Sequence, residues 1–455
     1  MNVLIIGEGA RESAILHKVH QSPKVSKIYI APGNGGTESI AENIDISLDD
    51  FDKLTEFVKA KKIDLTIVGP EIPLNNGIVD HFESLGLNIF GPSKKASRIE
   101  GSKIFAKNLM KEFNIPTAKY KTFCDQKSAV KYLEKSSLPI VIKADGLAGG
   151  KGVYISKNKN DALQAIKEIM SDNIFGNSGK KIVIEEFLIG SEFSVFAFTN
   201  GVDIKTLLSA CDYKKVFDGD KGPNTGGMGS YSPAPQLSPE NKSFIISKII
   251  NPTLEALRSK NSEFVGVLYC GLILTKNGIF VIEFNCRLGD PETQVVLPSL
   301  EYDIIDLIES CLDKSNNKIF ETNSKSAVGV VLASKGYPGK YNTGEKIIIS
   351  DYSDKNNSYI FHAGTKKSDE NLLTSGGRVL TVVGTGNSIN EARNLAYKLC
   401  DKISFNNKYF RKDIAKIIKE WKVEKVSIII GSKSDAEIMD KTKEILDELE
   451  VPYEF

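Results

Sequence analysis

The chain has 455 residues, of which 41% are hydrophobic and 26% charged, so it can form a sizeable core, and its length predicts about three domains. The 59 lysines and arginines nearly balance the 58 aspartates and glutamates, and the net charge of +1 argues against nucleic-acid or membrane partners. The six cysteines lack zinc-ligand spacing and no apolar run approaches the ~18 residues of a membrane span, so we expect a cytoplasmic protein with reduced, buried thiols.

The first hundred residues alternate short apolar strands with helices. Residues 3–6 form a predicted buried strand and not a signal peptide. Further strands are predicted at 25–30, 64–68 and 87–90, with helices at 12–20 and 50–61. This βαβ order predicts an open parallel sheet that binds ligands at the carboxyl ends of its strands. Each of those ends carries a turn marked by glycine or proline, at 7–12, 32–34, 69–71 and 91–93.

Two glycine-rich segments resemble nucleotide-binding fingerprints but lack required residues. In Gly7-x-Gly9-x-x-Glu12 a glutamate replaces the third glycine, and the second strand ends without the acidic residue that would bind an NAD ribose. That turn can still present backbone N–H groups to a phosphate at the helix N-terminus. In 146–152 the spacing is wrong for a P-loop, and Gly152 replaces the required Ser or Thr. We therefore predict neither an NAD site nor a Walker-type ATPase.

A second α+β block follows a helix predicted to begin near 101–103 and continues to about 190. Its strand at 139–144 carries Lys143 near its end and leads into the glycine loop, a combination suited to ATP phosphates. The later strand at 181–188 runs into a linker whose backbone groups can pair with an adenine edge, and Glu192 beyond it can bind ribose hydroxyls. Each feature alone is more often a solvated surface. In this order they indicate an ATP site.

The segment 282–293 carries the most chemistry. Strands predicted at 267–274 and 279–282 place Glu283 and Asn285 near a strand end, on one face with Arg287. A carboxylate and an amide oxygen suit Mg²⁺ or Mn²⁺, with nucleotide phosphates as further ligands. The arginine can clamp a phosphoryl or acyl-phosphate group. Taken alone, residues 283–285 are better interpreted as the end of a strand that runs into solvent. The ATP-site features upstream make a metal site the stronger interpretation.

A polar segment at 313–326 separates this region from a smaller α+β unit. We expect domains at 1–100, 101–326, with a lid subdomain at about 118–190, and 327–422. Residues 426–455 are predicted to start a separate structural unit, with a strand at 426–430, a turn at 431–435 and an amphipathic helix at 436–450.

The order of these features resembles the ATP-grasp ligases. More narrowly, residues 1 to about 420 resemble the phosphoribosylamine–glycine ligases (glycinamide ribonucleotide synthetases). The matching stretches are 69–74, 101–103, 143–148, 185–188, 222–229, 283–287, 361–365 and 376–380. The loop 223–229 is the most specific, because general ATP-grasp enzymes lack it. Ser13 and Tyr213 stand where that family usually has histidines, and we expect tuned affinity with retained chemistry.

The resemblance implies a multidomain α/β and α+β fold, with an ATP-grasp domain preceded by a Rossmann-like domain and followed by a small α+β domain. It implies ATP-dependent ligation of glycine to 5-phosphoribosylamine through glycyl phosphate, a step of purine biosynthesis. The implied residues are, for ATP, Lys103, Lys143, Gly149, Gly150, Glu185, Glu186, Leu188 and Glu192; for the metal, Glu283 and Asn285; for catalysis, Arg287, Asp212 and Asp290; and for the substrates, Gly9, Arg11, Asn34, Glu71, Asn224, Thr225, Gly227 and Met228.

Residues 426–455 resemble the opening βα unit of a carboxyaminoimidazole ribonucleotide mutase, in which the turn 431–435 would bind the nucleotide phosphate. The alternative is an incidental strand and helix. The second strand is expected to begin at Phe455, and one βα unit cannot bury its own apolar face. We therefore expect no mutase activity, with the remainder of such a domain as a candidate partner.

Two other functions stay open. Another ATP-grasp carboxylate–amine ligase would share Lys143, 185–188 and the Glu283/Asn285 pair but not the loop 224–229. A non-catalytic nucleotide-binding scaffold would bind ATP without releasing ADP when both substrates are present. In each case we expect a monomer that binds small molecules.

Overall fold

The first hundred residues form the predicted open parallel sheet. The structure, a computed structural model, describes residues 1–149, 152–172, 174–321, 325–352, 356–416, 426–427, 436–448 and 453–454. The first strands and helices are β1 (Asn2–Gly7), β2 (Lys27–Pro32), β3 (Glu42–Asn43), β4 (Leu65–Val68), β5 (Ile89–Phe90), α1 (Ala10–His20), α2 (Phe51–Lys61), α3 (Glu71–Asn76), α4 (Ile78–Ser84) and α5 (Lys94–Gly101). All pairs are parallel, in the order β3-β2-β1-β4-β5. β4 is buried along its whole length, as a strand covered on both faces requires.

The next block is a small antiparallel sheet with its own core. Its elements are α6 (Lys103–Glu112), β6 (Tyr120–Phe123), α7 (Gln126–Leu133), β7 (Ile140–Ala144), β8 (Val153–Ser156), α8 (Lys159–Met170) and β9 (Ile182–Glu186). The strand order is β6-β9-β7-β8. Apolar residues of α7 and α8 pack on this sheet in a hydrophobic cluster separate from the main one. The four strands lie within the range of about 118–190 for which a lid subdomain was predicted, and the lid role stays a prediction.

A long antiparallel sheet, with three short two-stranded sheets, continues from the central region into the third domain. The strands are β10 (Ser191–Asn200), β11 (Ile204–Asp212), β12 (Lys215–Phe217), β13 (Lys221–Asn224), β14 (Gly229–Ser232), β15 (Val265–Thr275), β16 (Gly278–Asn285), β17 (Ser326–Ser334), β18 (Ile348–Ile349), β19 (Ser358–His362), β20 (Thr365–Ser368), β21 (Asn371–Thr374), β22 (Arg378–Gly386), β23 (Ile403–Ser404) and β24 (Lys408–Tyr409). The helices are α9 (Pro239–Ile245), α10 (Asn251–Ser259), α11 (Thr293–Val296), α12 (Ile304–Leu312) and α13 (Ile389–Cys400), with short 3₁₀ or π turns at Thr37–Ser39, Gly176–Gly179 and Ile246–Ile250. The main sheet runs β16-β15-β10-β11-β14-β17-β22-β19. Because β14 pairs with β17, this sheet crosses the predicted boundary at 326 without a break.

The chain divides into two compact units, Met1–Ile414 and Ala415–Phe455. In the second, β25 (Val426–Ser427) pairs in parallel with β26 (Tyr453–Glu454), and α14 (Ala436–Glu448) occupies the predicted helix. The second strand therefore begins at Tyr453, earlier than predicted. The turn 431–435 lies outside the described residues.

Two smaller predictions concern thiols and membranes. All six cysteines are free, and five of them are buried as expected. Cys124 is exposed, which corrects the prediction for that residue. Within the described ranges, no helix is both long and apolar enough to cross a bilayer.

Candidate active site

The turns that follow β1 and β4 meet at one edge of the parallel sheet, as predicted. Gly9 precedes α1, and its N–H donates to Glu12 Oε2 at 2.7 Å. The Arg11 guanidinium lies 2.6 Å from Glu12 Oε1 and 3.9 Å from Glu71 Oε2. Burial acts to raise the pKa of Glu71, but Arg287 and Arg11 lower it overall. The edge therefore combines a helix N-terminus with an ionised carboxylate between two arginines.

Asn34, on the turn after β2, joins the first domain to the third. Its Nδ2 donates to Glu8 O at 2.8 Å and to His362 O at 2.9 Å. Its Oδ1 accepts from the Gly36 N–H at 3.0 Å. The Ser13 hydroxyl also donates to His362 O, at 2.7 Å. The side chain of Asn34 is thus occupied by protein groups, which gives it a structural role that the sequence did not reveal.

Lys143, near the end of β7, lies in a buried ion cluster. Its Nζ is 3.2 Å from Glu185 Oε1 and donates to Ile282 O at 3.0 Å. The second carboxylate oxygen of Glu185 is 3.0 Å from the Nζ of Lys107, on α6. Glu185 was predicted to lie on the adenine-binding strand, and the structure shows its side chain bridging two lysines.

Lys103 approaches the start of the glycine loop. Its Nζ donates to Gly146 O at 3.1 Å. Ser102 caps the helix that Lys103 begins, and Asp145 Oδ1 accepts a further hydrogen bond from the Ile104 N–H at 2.8 Å. Gly149 has φ +55, and no atom of the described residues lies within 4 Å of an added Cβ. Gly150 lies outside the described residues. These contacts join the first turn of α6 to the residues that begin the glycine loop.

The linker from β9 to β10 carries the other predicted nucleotide residues. Glu186 Oε1 accepts from the Lys119 N–H at 2.9 Å. Leu188 is half-buried in the linker, and the next residue, Ile189, is 80% exposed. Glu192 lies at the start of β10, where its carboxylate pairs with Lys214 Nζ at 3.0 Å. The linker thus presents a short apolar stretch between two acidic side chains.

Glu283 and Asn285 lie near the end of β16, just after a β-bulge. Gly271 pairs with Glu283 while Leu272 pairs with Val281, so Ile282 is the extra residue, and its carbonyl is the one that receives Lys143. Beyond the bulge the pairing is regular, so Glu283 and Asn285 share a face. The bulge shifts the register of β16 before Glu283, and the predicted alternation of Glu283 and Asn285 beyond it is unchanged.

The charges around Glu283 favour its ionised form. Burial alone would raise its pKa, but Lys214, Lys143, Lys103 and Arg287 lower it below the ordinary value. No group of three or more His, Cys, Asp or Glu able to hold a metal occurs in the described part of the chain. The two oxygen donors at Glu283 and Asn285 fit a hard divalent cation only if nucleotide phosphates complete its shell.

Arg287 is fixed by two carboxylates. Its Nε lies 3.2 Å from Glu71 Oε2, and its Nη2 lies 2.8 Å from Glu100 Oε1. Its Nη1 donates to Leu288 O at 3.2 Å. Glu100 also accepts from the Cys286 N–H at 2.8 Å. Each terminal nitrogen of the guanidinium keeps one N–H without a partner among the described residues, which can bind a ligand oxygen.

Asp212 ends β11 close to Lys214. Lys214 Nζ lies 4.0 Å from Asp212 Oδ1 and 3.0 Å from Glu192, so one ammonium links the two carboxylates. Burial raises the pKa of Asp212, although Lys214 opposes the shift. The loop after β13 is tied to the same lysine, since Thr225 N–H and Oγ1 both donate to Lys214 O at 2.8 Å. Asn224 pairs with Lys215 across the hairpin.

The loop 224–229 packs on Asp290 through Arg378 of the third domain. Arg378 Nη2 lies 2.8 Å from Asp290 Oδ2, and its Nη1 donates to Asp290 Oδ1 at 3.2 Å and to Gly226 O at 2.7 Å. An added Cβ on Gly227 would be 2.3 Å from Pro291 Cδ, and on Gly9 it would be 3.8 Å from Asp290 Oδ2. Three domains therefore meet at Asp290.

Met228 lies beneath this loop. Its side chain is fully buried and packs with Val216 and Ala333, and its N–H donates to Tyr213 O at 2.8 Å. Met228 was predicted to bind substrate; the structure places its side chain in the core, and a substrate contact stays a prediction. The specific sequence of the loop thus partly reflects packing.

Several site residues were not predicted. Lys107 lies one helical turn after Lys103, and that spacing was the available signal. Arg378 lies in the stretch 376–380, which matches the family pattern, and Lys214 lies next to Tyr213, where the chain departs from it. Neither residue was given a role. Glu100 and Glu292 had no local signal. The carboxyl of Glu292 accepts from Tyr269 OH at 3.1 Å, and burial raises its pKa to about 7.

Comparisons with known proteins agree with this geometry. Three domain models of phosphoribosylglycinamide synthetase match in order: the N domain at residues 1–100, the ATP-grasp (A) domain at 101–293 and the C domain at 327–417. The phosphoribosylamine–glycine ligase of Caldanaerobacter subterraneus is 49% identical over 416 residues, covering 91% of this chain and 99% of that protein. The enzyme of the same name from Pseudomonas aeruginosa is 45% identical, covering 91% and 97%. The crystal structure of the phosphoribosylamine–glycine ligase from Thermotoga maritima is 34% identical with a TM-score of 0.79, covering 91% of this chain and all of that one.

Proposed function

Because the chain belongs to the phosphoribosylglycinamide synthetase family, we propose that it joins glycine to 5-phosphoribosylamine while ATP becomes ADP and phosphate. The observation that carries the proposal is the position of Lys143, whose Nζ donates to Ile282 O at 3.0 Å directly beside Glu283, where Lys214, Lys143, Lys103 and Arg287 together lower the pKa of the carboxyl. Such a cluster suits a triphosphate and its metal. The family loop at 224–229 is hydrogen-bonded through Thr225 to the carbonyl of Lys214, whose ammonium lies 4.0 Å from Asp212.

The chemistry has two steps. A carboxylate is a poor electrophile, so a glycine carboxylate oxygen first attacks the γ-phosphorus, and the bond from that phosphorus to the ADP oxygen breaks. The amine of phosphoribosylamine then attacks the carbonyl of glycyl phosphate, phosphate leaves, and the amine loses a proton. Lys103 and Lys143 bind the ATP phosphates, while the free N–H groups of Arg287 hold the transferring phosphoryl oxygens. The protein thus acts mainly by positioning reactants and neutralising charge.

Glu283 and Asn285 are the residues that would hold a divalent cation, for which we propose Mg²⁺, with Mn²⁺ as a substitute. When bound, such an ion neutralises charge on the phosphate oxygens. The surrounding lysines keep Glu283 deprotonated, which is the form a metal ligand requires.

The remaining residues divide between the nucleoside and the two smaller substrates. Strand β9 (Glu185, Glu186), Leu188 and Glu192 border the adenosine, with the glycine loop at Gly149 over the phosphates. Gly9 and Arg11, at the N-terminus of α1, together with Asn34 and Glu71, border the ribose phosphate. Asp212, Asn224, Thr225, Gly227 and Asp290 border the glycine and the amine. Met228 supports the loop from below.

ADP release tests this assignment. The full chain is incubated with Mg-ATP, glycine and freshly generated phosphoribosylamine, and each substrate is omitted in turn. Release that requires both glycine and the amine is expected. Release with a different acid or amine would reassign the substrates to another ATP-grasp ligase, and ATP binding without release would indicate the scaffold.

A further inference from the structure

A buried carboxylate links two lysines behind the ATP phosphates, and only one of these lysines was assigned a role. Lys107 on α6, Glu185 on β9 and Lys143 on β7 form a chain of ion pairs at 3.0 and 3.2 Å, here called the lysine bridge. The three side chains are at most 4% exposed. Buried charges of this kind need compensation for lost hydration, so their arrangement is costly unless each partner is satisfied.

The contacts of Lys107 all lead to protein groups and not into the cleft. Its ammonium donates to Thr117 Oγ1 at 2.7 Å, and that hydroxyl donates to Val281 O at 2.7 Å. The next carbonyl along β16, that of Ile282, receives Lys143. Both lysines of the bridge are therefore fastened to the strand segment that leads to Glu283.

The hydrogens of Lys143 show why the bridge matters. An ammonium has three N–H groups, and among the described contacts one donates to Ile282 O. Glu185 Oε1 lies 3.2 Å from the Nζ as an ion pair but accepts no hydrogen bond from the described residues, so the remaining N–H groups can donate to phosphate oxygens. If Glu185 had Lys143 as its sole partner, the pair would be neutral and would attract phosphate weakly. With Lys107 present, the three charges sum to +1.

We propose that Lys107 and Glu185 are positioning residues for ATP: Glu185 orients Lys143, and Lys107 neutralises Glu185 so that the charge of Lys143 stays available to phosphate. The inference rests on the proposed ATP site. It assigns the side chain of Glu185 to this bridge and leaves its backbone to the adenine.

The proposed role predicts that ATP affinity depends on the protonation state of Lys107. Glu185 and Glu186 on β9, Lys143 on β7 and the ring of Tyr120 on β6 face its ammonium, with the ring centroid at 5.6 Å. Burial, the largest influence, lowers the pKa of Lys107 to about 8. Above that pH the ammonium loses its proton, Glu185 cancels the charge of Lys143, and ATP binds more weakly.

The test is the Kd of Mg-ATP for the full chain, without glycine or amine, between about pH 7 and pH 9. The unmodified protein should weaken about tenfold across this range, or about 1.4 kcal/mol. Lys107→Met should bind about tenfold more weakly already at pH 7, with little further change. Lys107→Arg keeps its charge at every pH and should stay tight. Lys111→Met, exposed on the same helix, should follow the unmodified protein.

Two results would overturn the inference: Lys107→Met binding Mg-ATP as tightly as the unmodified protein at pH 7, or Lys107→Arg keeping the weakening near pH 8. Either variant decides alone if the other fails to fold. A merely structural lysine would favour the neutral, similarly sized Met over Arg in thermal unfolding and leave the Kd of both unchanged. If the unmodified chain does not bind Mg-ATP at all, the proposed ATP site fails together with this inference.

Discussion

The contact of Arg378 with Asp290 permits a quantitative test of how the third domain completes the site. The guanidinium makes two contacts with the carboxylate, at 2.8 and 3.2 Å, and one with Gly226 O at 2.7 Å. The two side chains are 22% and 18% exposed. An exposed ion pair contributes up to about 1 kcal/mol and removal of one partner of a buried pair costs about 3–5 kcal/mol. For this intermediate exposure we expect a coupling of about 2 kcal/mol, or about 30-fold in kcat/KM.

The assay is a double-mutant cycle of Arg378→Gln and Asp290→Asn, read as kcat/KM for the amine in the ADP-release reaction. Arg378→Gln should lose about 30-fold, and Asp290→Asn, which also changes a proposed substrate contact, should lose at least as much. The double variant should lose little more than Asp290→Asn alone, because the contact with Arg378 is already disconnected. Lys398→Gln, exposed on α13 of the same domain, should behave as unmodified. Losses that multiply in the double variant, a coupling below about 0.5 kcal/mol, would refute the reasoning.

Three further results are expected. Glu283→Gln should lower kcat at least about 100-fold, since even residues that only support metal ligands typically cost 10–100-fold, and unchanged turnover at saturating Mg²⁺ would contradict the metal assignment. Gly227 has φ +110, and an added Cβ would lie 2.3 Å from Pro291, whereas Gly86 also has a positive φ but no described atom within 4 Å of an added Cβ. Gly227→Ala should therefore lower the free energy of unfolding in urea more than Gly86→Ala does. Equal decreases would argue against a tight loop. The raised pKa of Glu292, about 7, means that the native state retains a proton that the unfolded chain releases near pH 4.3, so this group's contribution to stability falls as pH rises through that window. Glu292→Gln should remove this component of the urea-unfolding pH profile, and an unaltered profile would place the titration elsewhere.

The parts of the site that the sequence predicted depend on local patterns. The apolar runs of β1 and β4 predicted where these strands end, and the turns with Gly9 and Glu71 come immediately after those ends in the sequence. Lys143 and Glu283 were found in the same way, because a strand end fixes where a polar side chain emerges. Strand alternation also placed Asn285 correctly, since the bulge at Ile282 precedes it and the pairing beyond is regular.

The parts that the sequence did not predict depend on contacts between distant segments. Glu100 meets Arg287, and Arg378 meets Asp290, only after three domains have packed together, so no local spacing encodes either pair. Met228 belongs to a motif whose residues were predicted to be functional, and its side chain is buried against Val216 and Ala333, next to the pairing of β14 with β17. A matching motif therefore predicts where the site lies but does not distinguish residues that would contact substrate from residues that support them.

The most direct test of the central claim follows the oxygen of the glycine carboxylate. With ¹⁸O in both carboxylate oxygens, phosphorylation and displacement transfer one labelled oxygen to the released phosphate, because the carboxylate oxygen that attacks phosphorus leaves with it. Mass spectrometry should therefore find one ¹⁸O in each phosphate formed together with the glycine amide of phosphoribosylamine. Unlabelled phosphate, with the same amide formed, would contradict the glycyl phosphate route.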